Sequence, residues 1–240
     1  MNTQEVSHEL VDWIYDTVKQ AGCNGVVLGL SGGVDSAVVA AASKKAFPDN
    51  VLGIIMPCYS NEEDEKDAVL LAEALDIKYK KVVLDKVYDA FLAETDINGA
   101  PRMALANIKP RLRMLTLYYH AANYNYLVAG TGNKSELTVG YFTKYGDSGA
   151  DILPLASFVK HEVWDLAKYF DIPEKIINKP PSAGLWENQT DENEMGINYD
   201  ELDTYILTGK ADDRVKTIVD DLNRKSKHKR EFAKIFVPNK

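Results

Sequence analysis

Apolar residues near the N-terminus recur at helical spacing: Leu10, Val11, Ile14 and Val18 share one face, and Gly22 closes that helix. The period then changes. Val26 to Leu30 (VVLGL) is a short, almost unbroken apolar run, as expected of a strand buried on both faces. SGGVDS follows, and then the helix-prone AVVAAASKKAF. Val51 to Met56 predicts a second strand, and Ser60 with Glu63 predicts a capping box. Val69, Ala72 and Leu75 give the helix it opens a buried face. Tyr79 to Leu84 predicts a third strand. A long helix is expected from Asn107, as its cap, to about Asn123, with Pro110 in the first turn, where no N–H is needed. Tyr126 to Ala129 predicts a fourth strand running into GTGNKSE, and Ile152 to Pro154 a short fifth. Val159, Val163, Leu166, Ala167 and Phe170 mark another amphipathic helix.

This alternation predicts an α/β fold: a doubly wound parallel sheet of about five strands flanked by helices, with extra helices at the C-terminal end. Ligands of such sheets bind at the carboxyl ends of the strands. Between Lys179 and Asn198 the periodicity dissolves into a stretch rich in Pro, Gly, Asn and acid, which predicts a long functional loop or lid. Helices resume near Tyr199 and continue through Arg224. In the segment Met114–Val128, Met114, Leu115, Leu117, Tyr118, Tyr119, Ala121, Ala122 and Tyr124 are spread around most of a helix. Such a helix wants burial on nearly all sides. The sheet supplies one side, and a second subunit or the C-terminal helices supply the other.

The chain has 240 residues, 45% of them hydrophobic and 27% charged, an ordinary globular profile that suits one domain spanning 1–240. A net charge of −8 argues against a nonspecific nucleic-acid binder, which needs a basic surface. Cys23 and Cys58 form no CxxC pair or zinc spacing and are expected to be buried thiols. The N-terminus carries no basic-then-apolar signal, and no apolar run reaches the ~20 residues of a membrane span. A cytoplasmic protein is expected.

The strongest chemical signal is LGLSGGVDSAVVAA. Its two glycines let backbone N–H groups converge on an anion, and the helix that follows adds unpaired donors and a positive dipole end. Ser31 and Ser36 supply hydroxyls. Asp35 would repel a phosphate by itself, so its natural role is to hold a magnesium ion. The same residues also fit a plain tight turn in which Asp35 and Ser36 only cap the helix. The motif is neither a Walker loop nor a Rossmann fingerprint. Beyond it, Thr131 follows the fourth strand, and Glu136 offers a second carboxylate for magnesium. Lys144 and Asp151 lie in a glycine-broken loop, Lys160 is placed to neutralise phosphate, and Ser182 opens the aperiodic segment. Taken singly, Glu136 and Lys160 also fit solvated helix positions.

SGGVDS after a first strand resembles the pyrophosphate loop of the N-type ATP pyrophosphatases, which cleave ATP between the α and β phosphates and adenylate a substrate oxygen. GTGNKSELTVGYFTKYGDSGADILPL is similar throughout to the corresponding stretch of ammonia-dependent NAD synthetases. SFVKHEVWDLA, PPSAGLWENQTDENEMGINYDELD and HKR extend the likeness in the same order along most of the chain.

This resemblance implies that Gly29, Leu30, Ser31, Gly32, Gly33, Val34, Asp35, Ser36, Thr131, Lys160 and Ser182 contact ATP as co-substrate. It implies that Asp35 and Glu136 bind Mg2+, and that Arg111, Lys144, Asp151, His228 and Lys229 contact deamido-NAD. The residues closest to the chemistry would be Ser31, Asp35 and Lys160. The family usually has a small residue where this chain has Pro110, which bears on the placement of Arg111. His228 and Lys229, read by composition alone, also fit an exposed basic helix end. The resemblance further implies a homodimer with the deamido-NAD site at or near the subunit interface. Glutamine-using relatives carry a separate hydrolase domain with a cysteine nucleophile. The synthetase pattern occupies all 240 residues, and Cys23 and Cys58 lack a catalytic arrangement, so ammonia is the expected donor. Rival readings are a GMP synthetase subunit, a tRNA thiolase, or a sensor that binds ATP without turnover.

Overall fold

The structure, a computed structural model, describes residues 1–97, 99–186 and 189–238. The chain opens with α1 (Thr3–Gln20), β1 (Gly25–Gly29), α2 (Val34–Ala46), β2 (Val51–Ile55), α3 (Glu62–Ala74) and β3 (Lys78–Lys81). Three helices follow: α4 (Asp85–Thr95), α5 (Arg102–Ala106) and α6 (Ile108–Tyr124). Then come β4 (Tyr126–Val128), α7 (Lys134–Val139), α8 (Lys160–Tyr169) and α9 (Glu174–Ile177). The last helices are α10 (Asp191–Met195), α11 (Tyr199–Thr208) and α12 (Asp213–Arg230).

All strands are parallel, in the order β3-β2-β1-β4. The chain winds outward from β1 through β2 to β3, then returns to place β4 on the other side of β1. The switch point therefore lies between β1 and β4, where α/β sheets bind ligands. Alternation along the strands separates two cores. Val26, Leu28, Val51 and Ile55 face α1, α2, α3 and α8, whereas Val27, Leu52, Ile54 and Val128 face α4 and α6. α2 is buried almost all round, with Ala37 through Ala42 removed from solvent, because it lies between the sheet, α1 and α8. A third core joins α7, α10, α11 and α12 through Val139, Met195, Leu202, Val215 and Val219.

Several expectations need correction. The fifth strand reduces to one parallel bridge, Ala129 with Ile152. Gly130 N donates to Ile152 O at 2.9 Å, but Pro154 has no N–H with which to continue the ladder. β3 ends at Lys81, as a lysine-rich, solvent-exposed edge strand. The cap of α3 is Asn61, whose Oδ1 accepts from Glu63 N at 3.0 Å. Ser60 instead accepts from Cys58 N at 3.2 Å and from Arg113. Asn107 precedes α6 as expected but does not cap it with its side chain, which accepts from the Thr143 hydroxyl. Cys58 is fully buried; Cys23 only partly so. The C-terminal helical stretch breaks at Gly209 (φ +69°) and runs on to Arg230.

The expected loop or lid, between Lys179 and Asn198, includes positions 187 and 188, which lie outside the described residues. Its described parts are hydrogen-bonded: Asp191 N donates to Pro181 O at 3.1 Å, and Lys109 Nζ to Leu185 O at 2.9 Å. α10, too short to show a period in the sequence, forms within this stretch. One face of α6 packs on the sheet through Leu112, Leu117, Tyr118 and Ala121, while Leu115 and Tyr119 on the other are 63% and 68% exposed. Among the described residues, no helix is long and apolar enough to cross a membrane.

Candidate active site at the sheet switch point

The loop after β1 is shaped by one glycine. Gly32 has φ +77°, and a Cβ there would lie 2.5 Å from Asp64 O and 2.9 Å from Asp67 Cβ. Only glycine allows both the left-handed backbone and this close approach to α3. The two serines brace the turn: Ser31 Oγ and Ser36 Oγ are 3.0 Å apart, Gly33 N donates to Ser31 Oγ at 3.2 Å, and Ser36 Oγ donates to Gly33 O at 2.9 Å. Because Gly33 is the N-cap, α2 starts without a side-chain cap, which leaves its first N–H groups without a side-chain acceptor, the arrangement that suits an anion.

Opposite this loop, three helix starts bring charge together. Asp35 sits in the first turn of α2, Glu136 in the first turn of α7, and Lys160 is the first residue of α8. Lys160 is 1% exposed, and its Nζ lies 2.5 Å from Asp35 Oδ2 and 4.0 Å from Glu136 Oε1. Asn133 links the two acids. Its Nδ2 donates to Asp35 Oδ1 at 2.8 Å, its N–H donates to Glu136 Oε2 at 3.1 Å, and its Oδ1 accepts from Glu136 N at 2.9 Å. Burial alone would lower the Lys160 pKa, but Asp35 and Glu136 more than offset it, so the ammonium is held above the ordinary lysine range. Burial and the neighbouring Asp35 push Glu136 well above the ordinary carboxylate range.

Two carboxylates thus share one ammonium. Their oxygens are the hard donors a magnesium ion takes, with phosphate and water completing its shell. Among the described residues no group of three or more acidic, His or Cys side chains is assembled to hold a metal by itself. The pair fits a cation that also depends on substrate oxygens.

A second group lies along α6, the 140s loop and the end of α12. Arg111 Nη2 donates to Lys144 O at 3.3 Å, and Lys144 Nζ donates to His228 O. Lys229 Nζ donates to Gly140 O and Phe142 O, each at 2.8 Å, and burial lowers its pKa. Asp151 stands apart from these, anchored by Val128 N at 2.8 Å and the Tyr118 hydroxyl at 3.0 Å. Pro110 is buried in the first turn of α6, and a Cβ on Gly146 would come within 3.0 Å of it, so the proline packs against the loop that holds Lys144. Thr131 follows β4 at the switch point. Ser182 Oγ accepts from Gly184 N at 3.1 Å, and a Cβ on Gly184 would lie 3.6 Å from Asp64 Oδ2. The segment carrying Ser182 therefore lies against α3, the helix that also backs Gly32.

The model of the NAD synthase family matches residues 6–235 of this sequence. The chain belongs to the NAD synthase family. Within it, the chain is 53% identical over 239 residues to the NH(3)-dependent NAD(+) synthetase of Carboxydothermus hydrogenoformans, covering 98% of each. Its fold matches the NMN synthetase of Francisella tularensis with a TM-score of 0.95 at 39% identity, covering 100% of this chain and 99% of that one. The NH3-dependent NAD synthetase of Campylobacter jejuni matches with a TM-score of 0.83 at 33% identity, covering 99% and 100%.

Sequence reasoning missed parts of this candidate site. Asn133, buried and bonded to both acids, had only its place in GTGNKSE to mark it. Asp67 is buried below Gly32. Burial would raise its pKa, but Lys175 and Lys179, both 2.6 Å away, hold it below the ordinary range. No local pattern marks it, because its partners lie far along the chain, Lys179 at a separation of 112 positions.

Proposed function

We propose that the protein uses ATP to activate the nicotinate carboxylate of deamido-NAD and transfers ammonia to it, giving NAD, AMP and pyrophosphate. The observation that carries this reading is the convergence of Lys160, Asp35 and Glu136 on the SGG loop. It occurs in a chain 53% identical along its length to an ammonia-dependent NAD synthetase.

In the first step a carboxylate oxygen attacks the α-phosphorus of ATP, and the bond to the bridging oxygen of pyrophosphate breaks. Gly29 to Ser36 hold the phosphates on backbone N–H groups and the uncapped start of α2, with Thr131 and Ser182 also contacting ATP. The Lys160 ammonium, kept protonated by its two acids, balances the charge that builds on the departing pyrophosphate. Asp35 and Glu136 would hold a magnesium ion, which would supply further neutralisation of the same phosphates. In the second step ammonia attacks the acyl carbon of the adenylate. The amide bond forms, AMP leaves with the acyl-oxygen bond pair, and the extra proton on nitrogen passes to solvent. No side chain becomes a covalent nucleophile, so catalysis is positioning and electrostatics.

Arg111, Lys144, His228 and Lys229 form one part of the deamido-NAD site, and Asp151, anchored separately, contacts the same substrate from beside β4. Arg111 lies on α6, whose exposed Leu115 and Tyr119 support a homodimer interface beside that site. The segment from Pro180 closes over the adenylate to exclude water. The protein works in the cytoplasm, on its ATP.

A second reading is favoured by the match to the NMN synthetase of F. tularensis: amidation of nicotinate mononucleotide, which presents the same carboxylate without the AMP half. The test is release of AMP and pyrophosphate from MgATP and ammonium with deamido-NAD, nicotinate mononucleotide, XMP or no acceptor. The highest kcat/KM is expected with deamido-NAD. A higher value with the mononucleotide replaces the first reading by the second, and turnover indifferent to both nicotinate substrates overturns them together.

A further inference from the structure

We propose that Asp203 is a positioning residue for this site, a buried carboxylate that caps α8 through His161 N, is tied to α7 through the Ser135 hydroxyl, and thereby sets Lys160 against Glu136. The inference rests on the amidation reading above. Asp203 lies on α11, 3% exposed. Its Oδ1 accepts from the Ser135 hydroxyl, and its Oδ2 accepts from His161 N at 2.9 Å and from His161 Nδ1 at 2.7 Å. Ser135 Oγ in turn accepts from Lys160 N at 3.1 Å. The direction of this relay is fixed. A carboxylate only accepts, so the serine must donate to it, which leaves the serine lone pairs for the lysine N–H.

The effect on α8 is an almost complete accounting of its first donors. Lys160 N goes to Ser135, His161 N to Asp203, and Val159 N to Glu162 Oε2 at 3.0 Å. Ser135 is the residue before Glu136, so the same carboxylate is tied to the start of α7. A negative charge at two helix N-termini is favourable to both dipoles. Lys160 carries its ammonium on a flexible four-carbon stem, and misplacement of about 1 Å is enough to cost on the order of 10²-fold in rate. Fixing the backbone at the root of that stem is therefore a functional requirement.

Asp203 is not needed to dock α11. Leu202, Tyr199, Val139 and Val215 already join α11 to α7 and α12 in an apolar core. A buried charge placed beside such a core weakens it unless the charge is fully hydrogen-bonded. Its partners here, Ser135 and His161, lie on α7 and α8, the two helices that bear Glu136 and Lys160. Asp200 Oδ1, 2.6 Å from His161 Nε2, holds the far side of the ring, and Trp164 meets the ring edge-on at 5.0 Å.

The test compares Asp203→Asn, Ser135→Ala and the double variant by steady-state kinetics in saturating Mg2+, with Tyr205→Phe as control. The control removes a hydrogen bond from α11 to Asp220 on α12 without touching α7 or α8, and is expected to keep wild-type kinetics. Asp203→Asn is expected to lower kcat about tenfold and to weaken MgATP, with the KM for the nicotinate substrate within about twofold of wild type. The double variant is expected to be no worse than the slower single one, because both act through one relay. Unchanged kcat in both single variants, multiplicative losses in the double, or a nicotinate KM raised as much as kcat falls would each overturn the proposal. If Asp203→Asn does not fold, Ser135→Ala, which removes one hydroxyl, carries the same comparison. A wild-type protein without turnover sinks the amidation reading instead. The role of Asp203 is then read by calorimetry, where unchanged MgATP affinity in the variants overturns it and a several-fold loss supports it.

Discussion

Replacing Lys160 by methionine removes the ammonium that Asp35 and Glu136 share and keeps most of the volume of its stem. Lys160 is 1% exposed, so its loss leaves Asp35 and Glu136 facing each other without a counter-charge. Breaking a buried ion pair from one side costs about 3–5 kcal/mol. Asn133 still donates to Asp35 at 2.8 Å, and the acids keep 16% and 18% of their side-chain exposure. The lower end, about 3 kcal/mol near neutral pH, is therefore expected. The sign with pH follows from Glu136, which burial and Asp35 already hold well above its ordinary 4.5. Loss of the ammonium raises it further. A carboxyl whose folded pKa is raised contributes stability below its unfolded value and loses it as pH rises through the folded value. The gap to wild type should thus be smallest at low pH, where Glu136 is protonated with or without the lysine and only the pair with Asp35 is lost, and should widen as pH rises. Urea unfolding at one protomer concentration, near pH 5 and near pH 8, measures the gap at roughly its two ends. Turnover should fall by about 10²–10³, since the charge lost is the one facing the departing pyrophosphate. A variant equally stable at both pH values, with kcat within about fivefold of wild type, would refute the reasoning.

The remaining expectations follow the same geometry. Asp35→Asn should keep the fold and lose most turnover, and near-normal activity at limiting magnesium would sink its role as a metal ligand. Gly32→Ala should weaken ATP binding at least about tenfold, because the left-handed backbone costs about 1–2 kcal/mol and the new methyl meets the α3 backbone; unchanged affinity by calorimetry would show that the loop is not the phosphate site. Leu115→Glu should shift the protein toward monomer in sedimentation and lower activity in parallel, whereas a wild-type monomer with full specific activity removes the interface. Protease cleavage between Pro180 and Glu194 should slow when ATP and deamido-NAD are both present, and equal rates would remove the lid.

The sequence by itself determined the local pieces. The apolar run ending at Leu30, the two glycines of SGGVDS and the amphipathic spacing from Val159 to Phe170 each record a requirement met within one or two turns of chain. Parallel pairing followed from the alternation of strand and helix. Other features depended on what packs against what. Ile152 to Pro154 has strand-like residues, yet Pro154 offers no donor to a neighbour, so only a bridge forms. Ser60 has the spacing of a cap, but Cys58 N and Arg113 claim its hydroxyl. The site itself is tertiary throughout. Lys160 meets Asp35 across 125 positions of chain, and Ser135 meets Asp203 across 68. A lysine on a polar helix start and an aspartate in an amphipathic helix look solvated when read locally. Only the packing of α2, α7, α8 and α11 buries both, because helix starts brought to one sheet edge aim their unpaired donors and first side chains into a common space.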